Sequence, residues 1–351
     1  MKRRWDGRRE VSTDLSRYAR QILFHGVGEE GQRRLLASSA VVIGCGATGS
    51  TLCNHLARAG VGRLRIVDRD YIELNNLQRQ LLFDEDDIAQ GLPKAVAAAR
   101  KLRRINSGIR IEEVVADVNP TNVESLLAEA DVVLDGTDNF ETRFLLNDAC
   151  VKLGKPWVYC GVVASYGMTA TIIPGQTACL RCLFGSVPAP GTSPTCDTVG
   201  VLGPVVGVLA SIAAMEALKL LLGRGERNRG LIHVDLWENS FDRFEVGLPR
   251  PDCPACGQRR FEFLDVAVGT RTTSLCGRDA VQVSVQGAPR VDLARLAERL
   301  SSAGKVVVNP FLLRAEIEGY EFTVFPDARA IIKGTTDEER AKVLYARYIG
   351  H

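Results

Sequence analysis

The feature that most constrains the fold is a glycine motif placed between an apolar strand and a helix. The apolar run 40–43 leads directly into Gly44-Cys-Gly46-Ala-Thr-Gly49, and residues 50–59 have helical character. A second apolar run, 64–67, ends at Asp68. This order predicts a βαβ unit whose helix start faces phosphate oxygens and whose Asp68 carboxylate binds ribose hydroxyls. Nicotinamide-cofactor enzymes share the pattern, and a tight turn that binds no ligand is the alternative.

Strand and helix signals continue to alternate beyond this unit, which predicts a doubly wound, mostly parallel sheet of the Rossmann-like α/β class. The predicted elements are a helix from Pro93 to about Arg104, a strand over 109–115, a helix over 122–130, a strand over 132–134 and a helix over 141–153. After residue 157 the pattern changes, and an antiparallel extension is expected. Its parts are a strand over 166–173, a long Pro-, Gly- and Ser-rich stretch over 174–198, an apolar helix over 204–222, and strands near 231–236 and 241–246.

The apolar stretch 199–222 is long enough to raise the question of a membrane span. It contains Pro204, Glu216 and Lys219, so we expect a buried helix instead. From about residue 261 the chain reads as a separate small α/β unit, with strands near Val281, Val306, Phe322 and Ala330 and helices over 293–300 and 338–348. The expected domains are therefore a basic arm over 1–13, a main domain over 14–258 and a small domain over 261–351.

Composition excludes several function classes. The chain has 46% hydrophobic and 25% charged residues and a net charge of +2, which is ordinary for a globular protein and predicts neither a nucleic-acid nor a membrane partner. Five of the first ten residues are basic without an apolar run after them, so a solvated arm is expected rather than a targeting segment. Ten cysteines without a signal peptide favour a reducing compartment, and we expect the cytoplasm.

Two cations and a carboxylate indicate phosphate chemistry rather than hydride transfer. Arg79 lies in the tract 75–80, and Lys94 lies just inside a predicted helix start. Cations that converge on the phosphate end suit a triphosphate whose pyrophosphate leaves. Asp138 follows a buried strand and is a candidate Mg²⁺ ligand. Taken singly, Arg79 and Lys94 are equally consistent with solvated surface cations, and Asp138 with the N-cap of the helix that begins near Phe140.

Two Cys-x-x-Cys pairs predict a structural metal. Cys179 with Cys182 and Cys253 with Cys256 supply four thiolates, and the second pair has the turn residues of a zinc knuckle. This arrangement is typical of tetrahedral zinc without an open position for substrate. A redox dithiol is the alternative, although both pairs would then have to act independently. Four further thiols lie in or beside apolar elements and are interpreted as core residues, namely Cys45, Cys53, Cys150 and Cys160; Cys276 receives no role.

Six motifs, in this order, resemble the ThiF/MoeB/HesA family, the bacterial relatives of ubiquitin-activating enzymes. The resemblance covers about residues 14–257. The motifs are Arg17-Tyr-Ala-Arg-Gln21, the glycine motif, Asn76-Leu-Gln-Arg-Gln80, Gly91-x-Pro-Lys94, Thr137-Asp-Asn139 and the two cysteine pairs. The family fold agrees with the α/β prediction above.

The resemblance implies a reaction and a partner. In this family, ATP and the C-terminal Gly-Gly carboxylate of a small ubiquitin-like sulfur carrier give an acyl-adenylate and pyrophosphate. By position, Asp68 binds the ribose, Asn76, Arg79 and Lys94 the phosphates with Gln80 beside them, and Asp138 the Mg²⁺. Arg20 reaches into the site of the partner subunit, so a homodimer is implied.

Several alternatives stay open at this point. Cys196 matches a cysteine that some relatives link to the carrier through a persulfide or thioester, or it is a bystander in the long loop. The carrier can belong to thiamine or to molybdopterin synthesis. Because residues 261–351 do not resemble a rhodanese, a separate sulfurtransferase is expected. Other candidate functions are a non-catalytic scaffold of this fold, a nicotinamide-dependent oxidoreductase and an enzyme that adenylates a tRNA base, the last disfavoured by the near-neutral charge.

Overall fold

The computed structural model describes residues 14–188, 194–265, 270–275, 279–285 and 289–350, without the side chains of Asp197 and of residues 270–275. The chain divides into two compact units, Met1–Val266 and Ala267–His351. The arm over 1–13 and Cys276 lie outside the described residues.

The first unit is built around an eight-stranded sheet, β1 to β8. The strands are β1 (Ser39–Ile43), β2 (Arg63–Asp68), β3 (Arg110–Val115), β4 (Val132–Asp135), β5 (Trp157–Val163), β6 (Tyr166–Ile172), β7 (Gly230–Asp235) and β8 (Ser240–Glu245). The helices are α1 (Ala19–Ile22), α2 (Gly28–Ala37), α3 (Ala47–Ala59), α4 (Glu85–Ala89), α5 (Lys94–Ile105), α6 (Val123–Leu127), α7 (Phe140–Leu153), α8 (Leu180–Phe184), α9 (Cys196–Val199) and α10 (Gly203–Leu222).

The strand order is β3-β2-β1-β4-β5-β6-β7-β8. Strands β1 to β5 pair in parallel, and β6, β7 and β8 continue the sheet antiparallel. The chain therefore winds outward from β1 in one direction, returns at β4, and leaves a switch point between these two strands, where ligands bind in open α/β sheets. The predicted fold class is confirmed.

The core of this unit follows from the sequence pattern. Every residue of β1 and β4 is buried, as expected for central parallel strands covered on both faces. Helix α3 begins three residues before the predicted start and ends at Gly60, which adopts the left-handed conformation that terminates helices. Helix α2 was not predicted, because its burial is confined to one narrow stripe, with Gly31, Gln32, Leu35 and Leu36 as its buried residues.

Helix α10 is the apolar helix that raised the question of a membrane span. It has 20 residues and a mean hydropathy of 2.0, and 56% of its apolar window is buried. It packs against α3 and against strands β5 and β6. Its Glu216 is buried and accepts hydrogen bonds from Thr171 Oγ1 at 3.0 Å and from the Asn228 N–H at 2.8 Å. The helix is thus a core element of this unit, as predicted.

The stretch 174–198 is more regular than a loop. The short helices α8 and α9 lie within it, and residues 189–193 between them lie outside the described part of the chain. Helix α9 begins with a capping box in which Thr195 accepts from the Thr198 N–H. The Pro, Gly and Ser content concealed these helices, because each is a single turn and too short to show an apolar periodicity.

The second unit is a six-stranded antiparallel sheet in the order β11-β12-β13-β14-β10-β9. Its elements are β9 (Thr270–Leu275), β10 (Ala280–Val285), α11 (Leu293–Leu300), β11 (Lys305–Val308), β12 (Leu313–Ile317), β13 (Tyr320–Val324), β14 (Ala330–Lys333) and α12 (Glu338–Tyr348). Both helices have the predicted bounds, and they pack on one face of the sheet over a core that includes Val281, Phe322 and Leu344. Strands β9 and β12 were not predicted.

Candidate nucleotide site and cysteine cluster

The glycine turn lies at the switch point, between the end of β1 and the start of α3. Gly44 has a φ of +85°, and a Cβ on Gly49 would lie 1.8 Å from the Gly44 carbonyl oxygen. No side chain fits at either position, so the turn can bend tightly enough to direct its backbone toward a ligand. Gly136, which follows β4, is pressed against the same turn, since a Cβ there would lie 2.4 Å from the Gly44 carbonyl oxygen.

Asp68 stands at the end of β2 beside this turn. Its Oδ2 accepts a hydrogen bond from the Cys45 N–H at 2.5 Å, and its Oδ1 accepts from the Asp70 N–H at 2.6 Å. Burial raises the pKa of Asp68, while the Lys94 ammonium acts in the opposite direction. The carboxylate therefore fixes the glycine turn through the Cys45 N–H. It lies at the strand end where a ribose-binding acid is expected.

The tract after β2 brings an asparagine, an arginine and a glutamine to the same place. Asn76 is 1% exposed, and Arg79 donates from Nη1 to the Asn75 carbonyl at 2.8 Å. Gln80 is 3% exposed, and its Nε2 lies 3.8 Å from the point that a Cβ on Gly46 would occupy. Its Oε1 has no hydrogen-bond partner among the described residues. Because buried amides normally have partners, this one indicates a group built to meet a ligand at the glycine turn.

Lys94 is buried beside the same strand ends. It is 3% exposed, is the first residue of α5, and lies 3.4 Å from Asp70 Oδ2 through its Nζ. Its backbone N–H donates to the Asp70 carbonyl at 2.9 Å. A lysine is almost never fully buried unless its ammonium has a partner. Because Lys94 is buried, the alternative that it is a solvated surface cation is ruled out.

Asp138 is held in its ionised form by its surroundings. Desolvation is the largest influence and acts to raise the pKa of this carboxyl, but the Arg69 guanidinium, the Asn139 hydrogen bond and the Lys94 ammonium together hold the pKa below its ordinary value. The helix cap assigned to Asp138 as an alternative belongs to Asn139, whose side chain accepts from the Thr142 N–H at 2.9 Å. That alternative is wrong, and a carboxylate without a capping role remains. Its hard oxygen ligands fit a Mg²⁺ ion bound to phosphates.

Sequence reasoning missed the charged residues around Asp138. The Arg69 guanidinium lies 3.1 Å from Asp117 Oδ1 and 3.9 Å from Asp70 Oδ1, and its charge acts on Asp138. Three charged residues in a row immediately after an apolar strand were the available signal. Their partner Asp117 lies 48 positions further along and has no local pattern that points to it.

The four cysteines of the two pairs form one cluster. The Sγ–Sγ distances are 3.8 Å for Cys179–Cys182, 3.7 Å for Cys179–Cys253 and 3.4 Å for Cys182–Cys256. All four sulfur atoms lie within 4.8 Å of one another. Tetrahedral zinc with Zn–S bonds of about 2.3 Å separates its sulfurs by about 3.8 Å. The residues therefore fit a structural zinc ion, and the joint cluster argues against two independent redox pairs.

Helix α7 holds both halves of this cluster. Asn147 Oδ1 accepts from the Leu180 N–H at 2.8 Å, and Asp148 Oδ2 accepts from the Phe263 N–H at 3.1 Å. Burial raises the pKa of Asp148 to about 6. The four other thiols assigned to the core, at positions 45, 53, 150 and 160, are all fully buried.

Cys196 lies apart from the cluster, at the start of α9. Its Sγ lies 3.5 Å from the Val162 carbonyl oxygen at the end of β5. The chain that follows α9 contacts residues 75–80, which we call the arginine tract. Gln78 Nε2 lies 3.4 Å from the Val201 carbonyl, and a Cβ on Gly203 would lie 3.7 Å from Arg79 Cα. The segment that carries Cys196 therefore leads directly past the cation of the site.

Arg20 is presented outward. Tyr18 OH accepts from Asn106 Nδ2 at 2.9 Å, Gln21 Nε2 donates to the Ala59 carbonyl at 2.9 Å, and Arg17 donates to the Ile105 carbonyl at 2.7 Å. These contacts anchor α1, whereas Arg20 is exposed. A single chain does not bring it together with Arg79 and Lys94, so its action in a partner's site stays a prediction.

An open, mostly parallel sheet with a glycine turn at its switch point is the architecture of a nucleotide-binding α/β protein. A family model described as the ThiF family matches residues 18–255, and the chain belongs to this family. The resemblance inferred from the motifs is confirmed.

Relatives and solved structures agree with this assignment. The chain is 44% identical over 338 residues to the sulfur carrier protein ThiS adenylyltransferase of Bacillus subtilis, covering 95% of this chain and 99% of the relative. It is 40% identical over 255 residues to a sulfur carrier protein adenylyltransferase of Thermus thermophilus, covering 71% and 93%. Among solved structures, E. coli MccB with ATP matches at 27% identity and a TM-score of 0.61, covering 71% of this chain and 76% of that one.

Proposed function

We propose that this chain is an ATP-dependent adenylyltransferase that activates the C-terminal Gly-Gly carboxylate of a ubiquitin-like sulfur carrier as an acyl-adenylate. The observations that support the proposal are Gln80, which lies against the glycine turn, and Lys94, whose charge acts on both Asp68 and Asp138. The B. subtilis relative, named for the carrier ThiS, matches both units of the chain. This match favours a ThiS-type carrier and thiamine synthesis over a molybdopterin carrier.

The chemistry needs charge compensation more than proton transfer. A carrier carboxylate is already ionised at neutral pH, so no general base is required for its attack on the α-phosphorus of ATP. The attack brings anions together and releases pyrophosphate. Arg79 and Lys94 offset that repulsion, and Asp138 would hold the Mg²⁺ that neutralises charge on the phosphates when bound. Asp68 takes the ribose, and the Gln80 amide faces the glycine turn.

A small apolar cavity gives the carrier tail a route to Arg79. The cavity has a volume of about 210 Å³. It is lined by Ser165, Leu202, Pro204, Val205, Leu236 and Trp237. Leu202 precedes Gly203, whose position against the arginine tract is described above. We place the residues that precede the Gly-Gly end in this cavity, since two glycines are narrow enough to continue past Gly203.

Next to this cavity, the chain has exposed apolar residues that can contact the body of the carrier. Trp237 is 74% exposed, and Phe241, Phe244 and Leu248 are 63%, 54% and 77% exposed. They lie on or beside β8, at the edge of the sheet. Phe241 and Phe244 are three positions apart and face opposite sides of the strand, so the surface next to the cavity is the one that carries Trp237, which lines the cavity. Exposed aromatic groups mark protein-binding surfaces, and we assign this one to the carrier.

A homodimer completes the site in this proposal. Leu23 and Phe24, next to Arg20, are 74% and 58% exposed, and Leu74 and Leu81, which flank the arginine tract, are 68% and 66% exposed. Burial of these residues between two copies would carry Arg20 to the phosphates of the partner's site. Cys196 then acts after activation: its thiolate attacks the acyl carbon of the adenylate, a thioester to the carrier forms, and AMP leaves. A separate sulfurtransferase supplies the sulfur, and the cytoplasm is the compartment.

Pyrophosphate exchange into ATP tests this function. The protein is incubated with ATP, labelled pyrophosphate and either a ThiS-type or a molybdopterin-type carrier, and label in ATP is followed. We expect exchange with the ThiS-type carrier, and none when its last glycine is deleted. Exchange with neither carrier, under conditions in which the protein binds ATP, would contradict the proposal and favour the non-catalytic scaffold.

A further inference from the structure

A buried ion pair lies directly behind the turn that carries Asp138. Asp135, the last residue of β4, is fully buried, and Arg143, in the first turn of α7, is 6% exposed. Arg143 Nε donates to Asp135 Oδ2 at 3.0 Å. None of the sequence motifs accounts for this pair, and neither residue is among the groups that meet the nucleotide in the proposed reaction.

Both members of the pair bind the backbone of the same residue. Asp135 Oδ1 accepts from the Thr137 N–H at 2.9 Å and from the Thr137 hydroxyl at 2.7 Å. Arg143 Nη2 donates to the Thr137 carbonyl at 2.7 Å. One step earlier, the Gly136 N–H donates to the Ile43 carbonyl of β1 at 2.8 Å. The peptide groups on both sides of Thr137 are therefore fixed, and Asp138 is the next residue.

The guanidinium itself has little freedom. Its Cζ lies 5.4 Å from the ring centroids of Phe140 and Tyr159, on two sides. Burial is the largest influence and acts to lower the pKa of Arg143, but Asp135, Tyr159 and Asp138 together place the pKa above its ordinary value. A buried ion pair contributes little net stability, because desolvation offsets the attraction. What it supplies beyond an apolar pair is the set of directed hydrogen bonds to Thr137.

We propose that Asp135 and Arg143 are positioning residues that hold the Thr137–Asp138 turn in the geometry that binds the phosphate-bound Mg²⁺. The inference rests on the proposed adenylation and deepens it. It states that the affinity for Mg²⁺ depends on Asp135 and Arg143, which do not themselves contact the ion. The alternative is that the pair only packs α7 onto the sheet.

The chain offers a matched control for this test. Arg65 in β2 is also buried, donates from Nε to Glu112 Oε2 at 3.0 Å and from Nη1 to the Leu126 carbonyl at 2.6 Å. It combines the same ingredients, a carboxylate and a backbone carbonyl, but it does not bind the turn at 136–138. Arg143→Lys and Arg65→Lys keep the charge and remove the forked geometry of the guanidinium.

The experiment measures Mg²⁺ dependence. For Arg143→Lys we expect the Mg²⁺ concentration at half-maximal pyrophosphate exchange to rise about tenfold, as for the loss of one charged hydrogen bond. At saturating Mg²⁺ the rate should return to within about threefold of the wild type. Arg65→Lys should lower thermal stability to a similar degree with an unchanged Mg²⁺ dependence. Unchanged dependence in Arg143→Lys, or a rate loss that Mg²⁺ does not restore, would overturn the proposal.

A second variant covers the case in which Arg143→Lys does not fold. Thr137→Val removes only the hydroxyl bond to Asp135 and should raise the half-maximal Mg²⁺ concentration about threefold; no rise would overturn the proposal. Calorimetric titration with ATP over a Mg²⁺ series needs no carrier. Failure of the adenylation proposal, seen as missing exchange in the wild type, is therefore distinguishable from failure of the positioning role, seen as identical ATP binding in wild type and variants.

Discussion

The nucleotide end of the first unit and its cysteine cluster satisfy their polar groups in opposite ways. At the nucleotide end, Lys94 and Gln80 are almost fully buried, and the Gln80 carbonyl oxygen has no partner among the described residues. In the cluster, four sulfurs face one another, and α7 hydrogen-bonds to the chain on both sides. The first arrangement is incomplete without a ligand, whereas the second has no position for a substrate.

The comparison separates two uses of buried polar groups. Groups that wait for a ligand destabilise the free protein, because burial without a full set of partners is unfavourable. A cluster closed by a metal adds binding free energy to folding. Substitutions at the two places should therefore move activity and stability in different combinations.

Arg79→Ala should have the largest effect, and on catalysis alone. Loss of a cation that stabilises a leaving pyrophosphate typically reduces the rate by about a thousandfold, and the half-exposed side chain contributes little to the fold. Steady-state exchange kinetics and thermal unfolding measure the two effects. Arg33→Ala, which breaks an exposed pair with Glu29 at 2.6 Å, is the matched control with normal exchange. Full activity in Arg79→Ala would remove Arg79 from the site.

Cys253→Ser should give the opposite combination. We expect it to lose the bound zinc and to lower the free energy of unfolding by about 3 kcal/mol or more. The exchange rate per folded molecule, measured at low temperature, should stay near that of the wild type. Metal analysis and denaturant unfolding report the change. Cys150→Ala, at a buried thiol outside the cluster, should retain the metal. A stable, metal-free Cys253→Ser protein would show that the cluster is not structural.

Asp148→Asn should change how stability depends on pH. The folded-state pKa of about 6 lies above the ordinary value of 3.8, so the folded protein binds more protons than the unfolded chain in that interval. The stability associated with this carboxyl is fully present below pH 3.8 and is lost as the pH rises through 6. The amide should therefore be more stable than the wild type at pH 7.5 by about 3 kcal/mol, and close to it at pH 3.5. Equal differences at both pH values would contradict this assignment.

Gln80→Met should have the smallest effect and the most informative sign. Removal of a buried amide without a full set of partners should raise the free energy of unfolding by about 1 kcal/mol and weaken ATP binding about tenfold. Gln32 is the matched control, because it is also buried but accepts from Gln21 Nε2 at 2.6 Å and donates to the Ala59 carbonyl at 3.0 Å. Gln32→Met should lower stability and leave ATP affinity unchanged. If Gln80→Met and Gln32→Met changed the free energy of unfolding in the same direction, the contrast between buried groups that lack a partner and buried groups that have one would be wrong.

The sequence predicted those parts that depend on local pattern. Glycines spaced for a turn that leaves no room for side chains indicated the turn at 44–49, and apolar periodicity gave α11 and α12 their bounds. Helix α2 was missed because its buried stripe is narrow. Strand β12 was missed although Arg314 and Glu316 alternate with its core residues, because it is only five residues long.

The site was predictable where one residue type implies one chemistry and hidden where residues act through distant partners. Arg79, Lys94 and the four cysteines have recognisable spacings. Arg69 pairs with Asp117 across 48 positions, and Asp148 reaches Phe263 across 115. Such pairs arise only once the sheet has formed, so no window of sequence contains both partners.

The separation of the two cysteine pairs has a consequence for the newly made chain. Cys179 and Cys253 are 74 positions apart, and the 20-residue apolar helix α10 lies between them. During synthesis this helix leaves the ribosome before β7, β8 and the second cysteine pair exist to close the unit around it. Until then it has the length and hydropathy of a segment bound for a membrane. The nascent protein is therefore most prone to mistargeting and aggregation in this interval, and the arrival of the second cysteine pair ends it.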